Sequence, residues 1–215
     1  MVFKNIISFG LLSFLLVNNE PVFCLVQRRE SIPYILFVTN KLCFIYHENI
    51  EQELSKMTNQ EKDILLQSND PIILTNVEKY RHVLEVKNNS ELDWSFPKGK
   101  SKRKEVGIEI AKREFEEETP FSIRQIKKIS QKLYSYSVKG SDLKSYKYFF
   151  FPTELTSDIL HFGLQEQDPK NINIKLPNLT NETSNVGFFG INQITEERFK
   201  KPLCDFIQEF YFENF

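Results

Sequence analysis

The segment from residue 97 to residue 121 constrains this chain more than any other. Its glycine, acidic and basic residues stand at intervals that one loop and one helix can satisfy together. It begins Pro97-Lys98-Gly99-Lys100, passes Glu105, and ends Arg113-Glu114-Phe115-Glu116-Glu117-Glu118-Thr119-Pro120-Phe121. On a helix Glu114, Glu117 and Glu118 fall at i, i+3 and i+4, so their side chains can converge on one site. Crowded carboxylates raise one another's pKa, and such a cluster is stabilised chiefly by cations. Oxygen donors suit a hard ion, Mg2+ or Mn2+, which can polarise a phosphate and activate a water. Lys98 and Lys100 can neutralise phosphate oxygens beside it. Taken alone, Glu-Phe-Glu-Glu-Glu reads better as an ordinary acidic helix face with i,i+4 pairs.

Charge is unevenly spread around that segment. Lys98 to Lys147 holds 14 Lys/Arg against 7 Asp/Glu, although the net charge of the whole chain is −1. A basic segment beside an acidic cluster fits a polyanionic substrate, and equally a solvated lysine-rich face. The 215 residues are 40% hydrophobic and 27% charged. That composition excludes disorder as the default and leaves room for one core carrying an insertion. Cys24, Cys43 and Cys204 are odd in number, widely spaced and without a CxxC pair. They read as buried free thiols in a reducing compartment rather than a zinc site. Lys4 followed by the apolar run 6–17 imitates a signal peptide, but it lacks a small-residue cleavage site and is too short to span a bilayer. A buried first strand explains the same residues.

Three apolar runs, 6–17, 22–29 and 34–38, read as strands separated by Asn, Pro and Ser. From about 46 to 91 the period changes to that of helices. Ile50, Leu54 and Met57 share a face, Thr58 and Glu61 form a capping box, and Asn69-Asp70-Pro71 breaks the helix. Strand character returns at 133–138 and 146–151, a hairpin turning near Gly140-Ser141-Asp142. Residues 165–184 read as a long polar loop, Val186 to Ile191 as a short strand, and Leu203, Phe206, Ile207 and Phe210 as one face of a final helix. The expected architecture is an α/β (α+β mixed) sandwich with a mixed sheet, in two sequence parts, 1–45 and 92–215, interrupted by a helical insertion at 46–91.

The spacing resembles the Nudix box, G-x5-E-x7-R-E-U-x-E-E-x-G-U, with U an apolar residue. Gly99, Glu105, Arg113, Glu114, Phe115, Glu117, Glu118 and Phe121 fall in register over 99–121, and Pro120 stands where the family has glycine. The resemblance implies a Nudix α-β-α sandwich and a metal-dependent phosphoanhydride hydrolase. It also implies roles: Glu114, Glu117, Glu118 and the Gly99 carbonyl as metal ligands, Arg113 as the residue orienting them, and Glu105 as its partner. Proline also ends a helix, so an altered turn with unaffected ligands is expected. The family's late-strand glutamate is replaced by Asn185, a poor base, which leaves Glu182, Glu117 or Glu118 to accept the proton.

Trp94-Ser95-Phe96-Pro97-Lys98-Gly99-Lys100 and the Arg-Glu-x-x-Glu-Glu-Thr run at 113–119 are similar to mRNA-decapping enzymes and diphosphoinositol polyphosphate phosphohydrolases. Residues 8–10, 26–29 and 56–66 resemble the decapping Nudix proteins of large DNA viruses, of the African swine fever virus type, in which a helical module helps bind RNA. The implied reaction is attack by a metal-activated water on the cap of capped RNA, releasing m7GDP and 5′-monophosphate RNA. The implied compartment is cytoplasmic, the host cytoplasm for a viral protein, with no membrane span. Lys98, Lys100, Arg124, Lys127, Lys128, Lys132, Lys144 and Lys147 would hold the RNA backbone, with Tyr80, Arg81 and His82 weaker candidates. Tyr34 or Phe23 could stack on guanine, whereas Trp94 reads as packing. Two other functions remain: a pyrophosphohydrolase of inositol pyrophosphates or dinucleoside polyphosphates, and a non-catalytic RNA-binding Nudix-like protein.

Overall fold

The computed structural model describes residues 5–45, 47–88, 90–102, 104–139, 144–161, 171–175 and 183–215. The chain opens with two long strands, β1 (Asn5–Val17) and β2 (Glu20–Arg28). They are joined by a tight turn in which Asn18 and Asn19 both take positive φ, 53° and 65°. Asparagine tolerates that region, and two such residues make the hairpin turn whose twist matches antiparallel strands. The apolar run that imitates a signal peptide is therefore β1, at the centre of the sheet.

Four helices follow: α1 (Ile32–Val38), α2 (Ile50–Ser55), α3 (Asn59–Leu66) and α4 (Pro71–Leu84). The run at 34–38 is helical, not the strand its β-branched and aromatic residues suggest. The Ser31 hydroxyl caps its first turn by accepting from Tyr34 N, and Pro33 sits in that turn, where a missing N–H costs nothing. Phe37 is then fully buried in one core with Leu54, Val77 and Leu84, and that core draws its residues from 34–84. Tertiary packing overrides strand propensity here. The expected capping box is present, with Glu61 N donating to Thr58 Oγ1 and Thr58 N to Glu61 Oε2. The other oxygen of Glu61 accepts from Ser31 N at 2.6 Å, tying α3 to the start of α1.

The second half comprises β3 (Trp94–Ser95), β4 (Lys98–Gly99), α5 (Gly107–Glu118), β5 (Ile126–Ile129), β6 (Tyr134–Lys139), β7 (Ser145–Leu155), β8 (Asn171–Lys175), β9 (Thr183–Gly190) and α6 (Lys201–Asn214). The sheet order is β5-β7-β1-β2-β9-β8, with β1 and β7 parallel and the remaining neighbours antiparallel. The polar run at 165–184 is thus not all loop: β8 adds a strand to β9. The turn expected at 140–142 lies outside the described residues. Side chains alternate between two cores. Leu12, Phe14, Phe23, Leu25 and Phe189 pack with α6, and Leu11, Leu15, Val22, Cys24, Val26 and Phe188 pack with Ala111 and Phe115 of α5. Both faces of the central strands are covered, which is why β1 and β2 read as near-continuous apolar runs rather than alternating ones. This is the expected mixed α/β sandwich with a mixed sheet.

Among the described residues no helix is long and apolar enough to cross a membrane. Cys24 and Cys204 are buried, and burial pushes the Cys24 thiol up to about 12. Cys43, expected to be buried as well, is exposed.

Candidate active site

Strands β1 and β2 pair only where they meet, at residues 14–17 with 20–23, and the segment 94–99 wedges between their other halves. β3 pairs β2 at Val26 and Gln27, and β4 pairs β1 at Phe9 and Gly10. Gly10 permits that wedge, because a Cβ there would lie 2.2 Å from the Pro97 carbonyl oxygen. Trp94 and Phe96 anchor the segment in the α6-side core, Trp94 edge-on to Phe189 at 4.9 Å, so Trp94 packs. Phe23 is fully buried, which excludes it as a stacking surface for guanine.

Helix α5 buries Ile110, Ala111, Glu114 and Phe115 as one stripe. Glu114 is the acidic end of that stripe, and burial raises its pKa despite the neighbouring Arg113. The helix stops at Thr119 for a physical reason. The residue before a proline is driven out of helical conformation, and Thr119 takes φ −126°, ψ 163°. Its hydroxyl donates back to Phe115 O at 2.6 Å and accepts from Phe121 N at 3.2 Å. Pro120 therefore ends the helix without the left-handed turn a glycine would make.

Arg113 organises the acidic residues. Its guanidinium holds Glu105 with two hydrogen bonds, 3.0 and 3.2 Å, reaches Glu114 Oε1 at 2.6 Å and Glu117 Oε2 at 2.9 Å, and donates to the Lys100 carbonyl at 3.1 Å. The Glu105 bonds hold Arg113 above its usual range, and in return Arg113 holds Glu105 below the ordinary carboxylate range. Lys102 donates to both oxygens of Glu117 at 2.8 and 2.9 Å and lowers its pKa. Glu118 accepts from Lys98 N at 3.0 Å. The Lys98 ammonium donates to Ser95 Oγ at 2.8 Å, and burial holds its pKa down to about 8 against the raising effect of Glu118.

Gly99 closes this arrangement from the loop side. A Cβ at residue 99 would lie 2.1 Å from the Glu114 carboxylate, so main chain and acid abut there. Among the described residues no three His, Cys or acidic side chains already surround one point as a ligand set. The positive charge amid the carboxylates is that of Arg113 and Lys102. The donor set is nonetheless all oxygen, with carboxylates crowded against a main-chain segment, and this fits a hard divalent cation. Displacing Lys102 would free Oε1 of Glu117, while Arg113 keeps its hold on Oε2.

These groups open onto a cleft of about 930 Å3 that also takes in Arg28, Asp93, Tyr136, Tyr148 and Lys200. Lys98, Gly99, Lys100, Glu114, Glu117 and Glu118 all reach it. Arg124, Lys127, Lys128 and Lys132 do not line it. Arg124 is exposed in the turn after α5, Lys127 pairs Glu154 at 2.7 Å, and Lys128 and Lys132 border a smaller hollow between β5 and α6. Tyr80 is buried, and Arg81 and His82 pair Glu85 and Glu51 in the helical segment. Glu182 lies outside the described residues. Asn185 Nδ2 donates to Gln27 Oε1 at 2.6 Å, as a cross-strand amide pair. The residues that the sequence did not mark, Arg28, Asp93, Tyr136, Tyr148 and Lys200, come from the β6–β7 pair and three other segments and share no spacing that could have marked them.

No curated protein matches the chain. Among solved structures it is similar to an Ap4A hydrolase binary complex from C. elegans (13% identity, 98% of this chain and 99% of that one, TM-score 0.49). It is also similar to a Nudix hydrolase from M. smegmatis, RenU (9%, 94% and 82%, 0.45), and to one from Nitrosomonas europaea (13%, 98% and 90%, 0.46). The NUDIX domain profile matches residues 64–210, well over half of the chain, and spans the wedge, α5 and most of the sheet. With that match and the site geometry in place, the chain belongs to the Nudix hydrolase family.

Proposed function

We propose that the chain hydrolyses a phosphoanhydride bond in the 5′ cap of RNA, releasing m7GDP and RNA with a 5′-monophosphate. Nudix hydrolases generally use Mg2+ or Mn2+. Such an ion supplies charge neutralisation at the phosphate oxygens and acidifies a water. Glu114, Glu117, Glu118 and the Gly99 carbonyl are the proposed ligands, with Arg113 fixing their orientation. Lys98 and Lys100 hold the phosphate chain beside them. With Asn185 committed to Gln27, the proton of the attacking water goes to Glu117 or Glu118, or to Glu182.

The observation that carries this reading is the shared cleft, in which the α5 carboxylates, the Lys98–Lys100 loop and an aromatic surface all face one space. The decapping signature of residues 94–100 and 113–119, and the viral resemblance of residues 8–29 and 56–66, support RNA as the substrate's body. The helical segment is proposed as the RNA-contacting module. Expected over 46–91, it reaches back to α1 through its common core. One observation favours the second reading, a dinucleoside or inositol polyphosphate. Arg124, Lys127, Lys128 and Lys132 do not reach the cleft, so less of the basic stretch is available to a long RNA than its sequence suggests.

RNA labelled in its cap separates the two. Release of labelled m7GDP, inhibited by uncapped RNA, supports decapping. Hydrolysis of free m7GpppG as fast as capped RNA would sink it. Glu117→Gln should abolish turnover with Mn2+ while leaving RNA binding intact, and unchanged turnover would remove the metal-site assignment.

A further inference from the structure

Part of the cleft wall is a row of tyrosines that the reaction itself does not call on. The register of β6 and β7 sets Tyr136 against Tyr148 and Val138 against Tyr146. Alternation along the strands turns all four toward the cleft. Tyr136 is the anchored end. Its ring lies parallel to Phe150, 8° apart at 5.9 Å, and against Phe206 at 4.9 Å, both core residues. Tyr148 stands 5.1 Å from Tyr136, and Tyr146 lies nearly parallel to Tyr148, 22° apart at 6.5 Å. Both outer rings are half-buried, fixed by their neighbours and open on the cleft side. Burial raises the pKa of Tyr148, which keeps the phenol neutral.

Lys98 joins this wall to the acidic cluster. Its ammonium lies 5.3 Å from the centre of the Tyr148 ring, and its backbone N–H is bonded to Glu118. A ligand whose flat apolar end rests on the tyrosines can therefore run its phosphates past Lys98 to Gly99. Neutral aromatic faces accept any base, because every base has a π surface. The charges around the rings are less permissive. Lys98 already shares the Tyr148 ring, Arg28 is close enough to act on it, and the nearby Asp93 is paired with Lys200 at 2.6 Å. A base carrying its own positive charge meets repulsion there.

We infer that Tyr146 and Tyr148 form the stacking platform for the substrate's nucleobase, and that this platform takes neutral guanine or adenine at least as well as the cationic 7-methylguanine. The inference rests on reading the cleft as a nucleoside polyphosphate site, and it makes cap methylation dispensable for recognition.

The test is binding of GDP, m7GDP and inorganic pyrophosphate to the full chain with Ca2+ present, together with steady-state kinetics on capped RNA. GDP should bind at least as tightly as m7GDP, and at least tenfold tighter than pyrophosphate. Tyr146→Leu and Tyr148→Leu should each weaken both nucleotides by about ten- to a hundredfold, the loss expected for one stacked base. Pyrophosphate binding should not change. The effect on capped RNA should fall on KM rather than kcat, and Tyr146→Phe and Tyr148→Phe should restore it. A tenfold preference for m7GDP, or equal losses for nucleotide and pyrophosphate, would overturn the platform. Tyr136 and Tyr148 pack on the core and Tyr146 is the end of the row beyond them, so its variant remains readable should Tyr148→Leu unfold. Nucleotide binding as described without cap cleavage would retire the capped-RNA reading and leave the platform standing. Cap cleavage with unchanged KM in both leucine variants would do the reverse.

Discussion

Replacing Gly99 with alanine adds one methyl group at the point where the loop meets the acidic helix. The new carbon would sit 2.1 Å from the Glu114 carboxylate, against the 3.4 Å at which ordinary contact begins, so something must yield by about 1.3 Å. The loop is held by pairing of Gly99 with Phe9 in β1. The carboxylate is buried and held by Arg113 at 2.6 Å. The carboxylate is the far end of a side chain and is the part that moves. A displacement near 1 Å in a positioned catalytic group costs about a hundredfold in rate, so kcat/KM should fall by about that factor and the Mn2+ concentration for half-maximal rate should rise. Stability suffers less. Arg113 keeps Glu105 and Glu117, and loss of one charged hydrogen bond costs about 1.5 kcal/mol, or roughly 3–6 °C in Tm for a chain of this size. Gly190→Ala is the matched control, because its nearest neighbour, Gln193 Oε1, lies 3.8 Å away. It should leave rate and metal requirement alone. Gly99→Ala with kcat/KM within threefold of the parent would refute the argument that Gly99 exists to admit Glu114.

Pro120→Gly restores the family's usual residue but enlarges the freedom of the unfolded chain. It should lower stability by up to about 1 kcal/mol in chemical denaturation while kcat stays within twofold, because glycine also ends a helix and the two Thr119 hydrogen bonds do not involve the Pro120 ring. Lys62 is fully buried in α3 with its ammonium on the Val86 carbonyl at 2.8 Å, and burial, then the charge of Lys87, lowers its pKa. A lysine whose folded pKa is depressed binds fewer protons in the folded than in the unfolded state between that pKa and the ordinary lysine value of 10.5. Through that window the parent should gain stability relative to Lys62→Met as pH rises, read as the difference between the two urea midpoints. A difference independent of pH would mean that Lys62 is not held at a lowered pKa.

What the sequence disclosed and what it concealed follow from how far apart the determinants lie. The spacing of Gly99, Glu105, Arg113, Glu114, Glu117 and Glu118 is local, set by one loop and one helix, and it is legible without a fold. The Thr58–Glu61 capping box and the apolar face of α6 are legible for the same reason. The run at 34–38 misleads because its isoleucine, phenylalanine and valine favour strands. The Ser31 cap and Pro33 favour a helix locally, and the distant partners of Phe37, in α2 and α4, decide the contest. β8 is hidden in a polar run because an edge strand needs few apolar residues and gains its hydrogen bonds from β9. The basic stretch looks continuous in sequence, yet the turn after α5 and the edge strand β5 carry Arg124, Lys127 and Lys128 away from Lys98. The tyrosine wall depends on the register of β6 against β7, and Arg28, Asp93 and Lys200 reach the cleft from three other segments. No single-sequence period encodes such a meeting.

Soaking crystals of the chain in Mn2+ and locating the ion by its anomalous scattering tests the account most directly. One strong peak is predicted beside the Gly99 carbonyl, within 2.5 Å of oxygens from at least two of Glu114, Glu117 and Glu118, with the Lys102 ammonium moved off Glu117. Full manganese occupancy elsewhere, with Lys102 still on Glu117 and no density at Gly99, would contradict it.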